Sequence, residues 1–513
     1  MTYQQWFIFF LVVQLIHFLG TWKLYVKAGR KSWEAAVPVY NAIVLMKIIN
    51  RPKWWVILLF LPIINLLMFP VIWVETIRSF GKNSTADTFL VIFTLGFYIY
   101  YINYMTDVKY IEDRSLKART ELGEWVSSIV FAIVAATLVH TYIMQPYTIP
   151  TSSLEKSLLI GDFLFVSKFH YGARVPMTTV AAPMVHDTLP LIHIKSYLNF
   201  PQLPYMRLPA LQKIKRNEIV VFNWPVDTVE QFFKRTTRKI RKPIDKKSNY
   251  VKRCVGIPGD SLQIKDGYIY INGKRTVLPD RAKPQYYFDV NTGGQALSIN
   301  QLKNKFHVRE GGRLQDGNYV LNLTEKEAVL LKRNPYVKTI ERRLMPKGER
   351  EEVFPNVRSL DWNKDNFGPI LIPAKGMTVK LDSYSLPFYK KIITEYEKND
   401  LKVKDGKILI NGKPADTYTF KQDYYWMMGD NRHNSEDSRY WGYVPFNHIV
   451  GKPVFIWFSW NSDGKGMDKI RWDRLFTTVH GSGKPVSYFY WFLGAMAALW
   501  GYSFYRKKKR SEE

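Results

Sequence analysis

One cysteine in 513 residues, Cys254, leaves no partner for an internal disulfide and no set of thiolates for a zinc or iron–sulfur centre, whatever the redox compartment. Acidic residues are scarce too: 44 Asp and Glu stand against 73 Lys and Arg, a net charge of +29. A surplus of that size points to an anionic partner, either nucleic acid or a phospholipid surface. The first apolar run has no basic residue before it and no small-residue cleavage site after it, so it reads as a retained helix and not as a signal peptide. What the chain does have is aromatics, 15% of its residues, which excludes intrinsic disorder, and a length that allows two to four domains.

The apolar residues are gathered into runs at Trp6–Leu19, Trp54–Trp73, Phe89–Tyr104, Trp125–Gln145 and Val486–Tyr505. Three of them reach the ~20 residues that cross a hydrocarbon core. The first and third are shorter or carry Gln14, His17 and Asn103 and are read as spans as well, with Glu34–Ile49 as an interfacial or re-entrant segment. Basic residues cluster after the first run (Lys23, Lys27, Arg30, Lys31, Lys47, Arg51, Lys53), after the third (Lys109, Arg114, Lys117, Arg119) and after the last (Arg506–Arg510), but only Arg78 and Lys82 follow the second. Cytoplasmic loops carry the excess of Lys and Arg, so those three segments are expected inside, and the N-terminus and everything between Gln145 and Val486 outside. Residues 125–505 then hold 55 basic and 34 acidic residues, a surplus of 21.

The outer segment is built of short apolar alternations between Gly, Pro and Asn-Gly turns: Phe163–Phe169, Glu218–Phe222 and Gly267–Lys274, which read as strands and hairpins. The pattern KDGYIYINGK at Lys265–Lys274 returns as KDGKILINGK at Lys404–Lys413, which is turn chemistry before it is evidence of duplication. Thr324 and Glu327 are spaced as a capping box for a helix over Thr324–Lys332. The basic run Lys234–Lys247 has no nucleic-acid motif beside it and is read as facing phospholipid head groups, with a plain solvated loop as the alternative.

The expected organisation is a multi-pass module over 1–124 with spans at about 6–19, 54–73 and 89–104, and a transmembrane helix over 125–145. A β-rich domain over 146–283 and 398–485 follows, interrupted by an inserted subdomain at 284–397. A C-terminal transmembrane helix over 486–505 and a basic cytoplasmic tail over 506–513 close the chain.

Three outer segments carry chemistry. Ile149–Lys168 puts Thr151, Ser152 and Ser153 in an extended stretch after Pro150; Tyr250–Asp260 sets Lys252 in a strand; Met427–Pro445 is dense in Gly, Asp, Asn, Arg and Ser. A serine nucleophile needs a base, and no Asp/His constellation stands near these serines. A lysine serves if it is neutral. Its ordinary pKa of ~10.4 leaves about 0.04% deprotonated at pH 7, so burial must lower it, with Val251, Tyr250 and Met427 as cover and Arg253 on the opposite face turned to solvent.

In order and spacing these segments, with EIVVF between the first two, resemble the boxes of type I signal peptidases, membrane-bound Ser-Lys proteases, over roughly 145–275 and 400–460. The resemblance implies a membrane protein with a mainly-β Ser-Lys catalytic domain, removal of signal peptides from exported preproteins, no cofactor and no metal. Ser153 matches the nucleophile, its spacing to LIGD fitting better than that of Ser152, and Lys252 matches the general base. Thr151 with the Ser153 N–H would form the oxyanion hole. Ser435 would orient the lysine, Asp437 and Arg439 would support the site as an ion pair, and Asp430 completes the box with Gly429, Asn431 and Arg432. Tyr147, Ile149, Pro150, Leu154, Tyr250 and Val251 would build pockets for small residues at −1 and −3. The implied partners are preprotein signal peptides, the phospholipid membrane and a nearby export translocon, with no nucleic acid. The expected location is the inner membrane of a bacterium, with the catalytic domain in the periplasm and the C-terminus in the cytoplasm.

The chain departs from that family at Ser152, often Gly, at Leu154, often Met, at Lys156, often Pro, and at His433, often Asp and read here as a solvated loop residue. The 284–397 insertion and the module over 1–124 lie outside the common core. Two rival readings are weaker. Ser153-Leu-Glu-Lys156 is also the SxxK pattern of penicillin-binding proteins, but the S-D-N and K-T-G partners are missing. A catalytically inactive membrane scaffold is at odds with the retention of Ser153, Lys252, Ser435 and Asp437.

Overall fold

Proline and glycine decide where the N-terminal apolar runs become helix. In the computed structural model, which describes residues 1–118, 120–229 and 240–512, the first run is one helix, Tyr3–Lys27. It is opened by Thr2, whose hydroxyl accepts the Gln5 N–H while the Gln5 side chain accepts the Thr2 N–H. The second run is broken. Pro62 has no N–H to give, and the chain turns there between Trp55–Phe60 and Ile64–Ser79, with Ile63 at a φ of 70°. Arg51 and Arg114 then meet the buried carboxylate of Glu75 at 2.9 and 2.7 Å. A straight helix would carry Arg51 and Glu75 about 36 Å apart. The run expected as one span at 54–73 is therefore two helices with a turn between them, which brings Arg51 and Glu75 together. The third run bends by 116° between Thr85–Phe93 and Tyr98–Met105, across Leu95 and Gly96, both at positive φ.

Among the described residues two helices are long and apolar enough to cross a membrane, Tyr3–Lys27 and Glu121–Ile143, with a third crossing if the bent pair counts as one. The C-terminal run does form a helix, Phe489–Glu512, but its apolar part gives way at once to Arg506–Arg510, and it does not join them.

The chain divides into two units. The first comprises Met1–Met144, Ala173–Pro209 and the described part of Arg238–Lys246; the second comprises Gln145–Gly172, the described part of Ala210–Thr237, and Lys247–Glu513. In the first, Leu24, Val44, Ile49, Ile77 and Ile102 form the core, and the Met1 amino group and Trp6 Nε1 both donate to the Gln202 carbonyl. The basic run lies outside the described residues as far as 239. Beyond it, Lys242 is buried against Asp187 at 2.9 Å and Lys246 lies over the Tyr197 ring, so these two lysines are held by the protein and not by head groups.

The second unit is β-rich. Its eight-stranded sheet runs Met144–Thr148, Asp162–Ser167, Ile449–Ser459, Ile219–Asn223, Asn249–Gly256, Tyr424–Met428 and Val444–Pro445, with Thr477–Thr478 on the flank of the long third strand. Ile219–Asn223 sits in the middle with both faces covered, which is why it reads as an unbroken apolar run: Ile219 and Val221 pack with Leu154 and Val166, Val220 and Phe222 with Cys254 and Met427. Both KDG-x₄-NGK units fold as three-stranded meanders. Asp266-Gly267, Asn272-Gly273, Asp405-Gly406 and Asn411-Gly412 all take positive φ at both central positions, as tight hairpin turns demand.

Residues 284–397 have two parts. The first holds its own sheet, Thr339–Arg342, Gln285–Asn291, Tyr319–Thr324 and Gly311–Arg313 in that order, over Phe288, Leu321 and Leu331, with the Thr324–Glu327 capping box opening the helix Glu325–Leu331. The second is woven into the main core, because Phe367–Leu371 pairs with Ser261–Lys265 and buries Phe367 and Ile370 with Trp426 and Met428.

Phe367→Ala should therefore cost about 3–5 kcal/mol of stability in denaturant unfolding, as for any large aromatic removed from a packed core. A loss under ~1 kcal/mol would show that this second part is not core.

Candidate active site

The apolar neighbours that make Lys252 part of a strand also take it out of water. It pairs in register with Val220, is 3% exposed, and its ammonium lies 5.5 Å from the Tyr250 ring centre. Burial pushes its pKa down to about 8, against the pull of Asp437 and Glu436. Roughly a tenth of the molecules then carry a neutral amine at pH 7. Among the described residues Lys252 belongs to no salt bridge.

The segment with the candidate nucleophile is extended at Thr151 and closes into a single 3₁₀ turn, Ser152–Leu154. Leu154 is the anchor, buried with Ile149, and the turn packs against the lysine strand. Asn431 grips the turn from the glycine-rich box: its N–H donates to the Ser153 carbonyl at 3.0 Å and its side-chain amide to the Ser152 carbonyl at 3.2 Å. Asn434 donates to the Ser152 hydroxyl at 3.2 Å, whereas no hydrogen bond occupies the Ser153 hydroxyl among the described residues. Lys156, in the left-handed region at φ 65°, pairs with Glu327 at 2.5 Å.

Gly429 explains the glycine of the box. A Cβ there would lie 2.3 Å from the Ser435 hydroxyl and 2.5 Å from the Ser153 carbonyl, so its absence lets the box and the nucleophile turn close on each other. The Ser435 hydroxyl is itself buried with no partner among the described residues. Asp437, fully buried, accepts the Gly429 N–H at 3.0 Å and two guanidinium bonds from Arg439 at 2.9 Å each. Burial alone would raise the Asp437 carboxyl; Arg439, with help from Lys252 and the Gly429 N–H, holds it below the ordinary carboxylate range. Arg439 also donates to the Arg432 carbonyl at 2.6 Å, bracing the turn between them.

Of the expected pocket residues, Tyr147, Tyr250 and Val251 are half-buried, Pro150 is exposed, and Ile149 and Leu154 are buried beneath. Thr151 is exposed. Arg253 does not reach solvent. It is buried in a two-pronged pair with Asp430, which also accepts from the Ser157 hydroxyl, because a buried carboxylate needs a cation beside it. His433 is likewise no solvated residue: its Nδ1 accepts the Tyr287 N–H at 3.0 Å, which leaves Nε2–H to donate to Asp365 at 2.9 Å.

Sequence reasoning missed Glu436, whose charge favours the protonated lysine, and Ser438, whose hydroxyl accepts the Met427 N–H at 2.9 Å. It also missed Gln285 and Glu310. Glu310 accepts from Asn431 at 3.0 Å and from Asn434 at 2.7 Å. Neither spacing nor periodicity ties residues 120 positions apart to the box. Glu436 and Ser438 lie inside the Met427–Pro445 segment, and that proximity was the available signal for both.

The model of the family described as signal peptidase, peptidase S26, matches residues 122–322 and 391–460, more than half of the chain, and a family of unknown function (DUF5684) matches residues 33–113. Among curated proteins, the chain is similar to signal peptidase I of Buchnera aphidicola subsp. Baizongia pistaciae (25% identity, 67% of this chain and 79% of that protein). It is also similar to signal peptidase I of Helicobacter pylori strain 26695 (27%, 71% and 94%) and of Rickettsia massiliae (25%, 71% and 94%).

Lys252 carries a stability signature. Its folded pKa, about 8, lies below the unfolded value, so the protonated amine is the form that opposes folding. That cost is fully present below pH 8 and fades as pH rises toward ~10.4. Lys252→Met should be more stable than the parent by about 3 kcal/mol at pH 7, with the gap closing above pH ~10. Equal unfolding midpoints at pH 7 would mean that the ammonium is well solvated.

Proposed function

The chain belongs to the signal peptidase family, peptidase S26, and we propose that this serine peptidase cleaves signal peptides with Ser153 as nucleophile and Lys252 as general base. The observation that carries the assignment is the amine itself: buried, outside any salt bridge among the described residues, and brought down to a pKa of about 8 on a strand that packs against the Ser153 turn. Neutral Lys252 takes the proton from the Ser153 hydroxyl as it attacks the scissile carbonyl. The Thr151 hydroxyl and the Ser153 N–H receive the developing oxyanion, each donor worth about 3 kcal/mol in the transition state. Lys252 gives its proton to the leaving amine and then draws one from the water that hydrolyses the acyl-enzyme.

Substrate residues before the scissile bond add as a strand to the edge of the site, and small side chains at −1 and −3 seat among Tyr147, Pro150, Tyr250 and Val251, over a floor of Ile149 and Leu154. The Lys156 interaction weighs against an SxxK mechanism. The base which that mechanism requires is engaged with Glu327 at 2.5 Å and donates to the Phe306 carbonyl.

Ser153→Ala and Lys252→Ala should each abolish cleavage of a purified exported precursor, while Ser152→Ala retains it; cleavage by Ser153→Ala would sink the assignment. For the parent, kcat/KM should rise with pH through about 8, as the amine loses its proton.

The catalytic unit faces the outer side of the membrane, periplasmic in a cell with two membranes, close to the export translocon and to phospholipid head groups. Two sets of contacts within the first unit support a revised path to that side. Arg51, Glu75, Arg114, Lys27 and Asp107 gather in ion pairs, so the chain between Tyr3–Lys27 and Glu121–Ile143 begins, turns and ends on one side. Met1 and Trp6 bond Gln202, which follows the second crossing, so both ends of the pair share the opposite side. Crossings before the catalytic unit fall from four to two, its side is unchanged, and Arg78 and Lys82 join the inner basic residues. The Phe489–Glu512 helix crosses last and leaves the basic tail in the cytoplasm. With Cys254 buried, a cysteine at Lys82 should resist a membrane-impermeant maleimide added to intact cells; rapid labelling would restore the four-crossing path.

A further inference from the structure

The two residues after the nucleophile turn are held from far along the chain. The Gln285 side-chain amide donates to the Glu155 carbonyl across 130 residues, and Lys156 meets Glu327 across 171. We infer that the inserted sheet over 285–343 positions Ser153, with Glu327 as the residue that sets the nucleophile turn. The inference rests on the Ser153–Lys252 reading above and concerns how that pair is held in register.

Lys156 takes a left-handed backbone conformation that a lysine seldom adopts and that persists only where its surroundings hold it. Its ammonium provides that hold, bonding Glu327 at 2.5 Å and the Phe306 carbonyl at 3.2 Å. Glu327 is not free to follow. The same carboxylate oxygen accepts the Thr324 N–H and hydroxyl, each at 2.8 Å, at the N-terminus of the helix Glu325–Leu331. Next door, Glu155 is buried and paired with Arg309 at 3.2 Å. Gln285, 1% exposed, joins this flank to the box: its N–H donates to the Asp430 carbonyl at 2.8 Å and its carbonyl accepts the Arg432 N–H at 2.9 Å. On the other flank Asn322 donates to Asn431 at 2.8 Å, and Asn431 in turn holds the Ser152 and Ser153 carbonyls.

Every long-range hydrogen bond to the turn named above leads into the insertion or into box residues bonded to it, while Leu154 anchors the turn in the core. Lys252 sits on a different element, the sheet strand Asn249–Gly256, so the distance between nucleophile and base depends on where the turn is pinned. Misplacement by about 1 Å at a reacting pair costs up to ~100-fold in rate, without weakening substrate binding made elsewhere.

The test uses the full chain in detergent and a precursor carrying a signal peptide. Glu327→Gln, which keeps the capping-box geometry, and Lys156→Met should each lower kcat about tenfold, with KM within about twofold and the rising pH limb unmoved. Lys156→Arg, which keeps a cation facing Glu327, should retain at least about a third of the parental kcat. A kcat for Glu327→Gln within about twofold of the parent overturns the inference, as does a Lys156→Arg that keeps the unfolding midpoint but loses kcat as Lys156→Met does. Should Glu327→Gln not accumulate folded, Glu327→Asp is judged by the same criteria. Cleavage by Ser153→Ala would remove the nucleophile itself; an inactive Ser153→Ala beside a fully active Glu327→Gln would remove only the positioning role.

Discussion

A lysine kept out of water is the constraint around which the second unit is arranged. An amine of pKa about 8 is useful as a base only because burial opposes its charge, and the same burial opposes folding. The protein limits that cost without cancelling it. Asp437 lies near enough to favour the ammonium but is already engaged by Arg439 and the Gly429 N–H, so its charge is shared and not surrendered to the lysine. Had Lys252 been given a carboxylate of its own, the pair would be more stable and the amine would stay protonated at neutral pH, with no lone pair to take a proton. Mutual attraction would restore an ordinary or higher pKa.

The glycine-rich box then acts as a junction more than as a loop. Its two buried carboxylates each take one buried guanidinium, Asp430 with Arg253 and Asp437 with Arg439, in two-pronged geometry. Such pairs add little net stability once desolvation is counted, but breaking either strands a charge in the interior, so the arrangement is held by penalty. What the penalty secures is register. Arg253 neighbours Lys252, Asp430 and Asn431 neighbour the Ser152–Leu154 turn, and Gly429 admits the close approach between the box and that turn. Arg253 and Lys252 thus divide the work of one strand: its alternate faces carry a cation that must stay charged and a cation that must not.

That division marks the limit of what the sequence discloses. The chemistry-bearing segments were legible because their residues are close in the chain and their turns have strict requirements: Asp-Gly and Asn-Gly where both central φ angles are positive, Thr324 and Glu327 three apart at a helix start. The side to which Arg253 points was not legible, since period-two alternation tells only that it opposes Lys252, and an arginine on the far face of a sheet is ordinarily assigned to solvent. His433 misleads for the same reason. In GDNRHNS it has the look of a loop residue, and only the return of the chain at Tyr287 and Asp365 supplies the backbone donor and the carboxylate that make it an interior one. Long-range partners such as Gln285 and Glu327 leave no periodic trace at all.

The N-terminal region errs in a more instructive direction. Charge counting assigns loops to sides and takes each apolar run of sufficient length as one crossing, yet a run with Pro62 at its centre satisfies the hydropathy requirement and folds as two helices that bring Arg51 and Glu75 together. A hairpin and a crossing differ by one passage, so two hairpins in place of two crossings leave the side of every later segment as before. On the two-crossing path proposed above the orientation of the catalytic unit is unchanged, while the loop holding Arg78 and Lys82 moves to the inner side. The sparse charge of that loop was the weakest support for placing it outside; Glu75, buried between Arg51 and Arg114, is the stronger constraint, because an ion pair cannot be made across a bilayer.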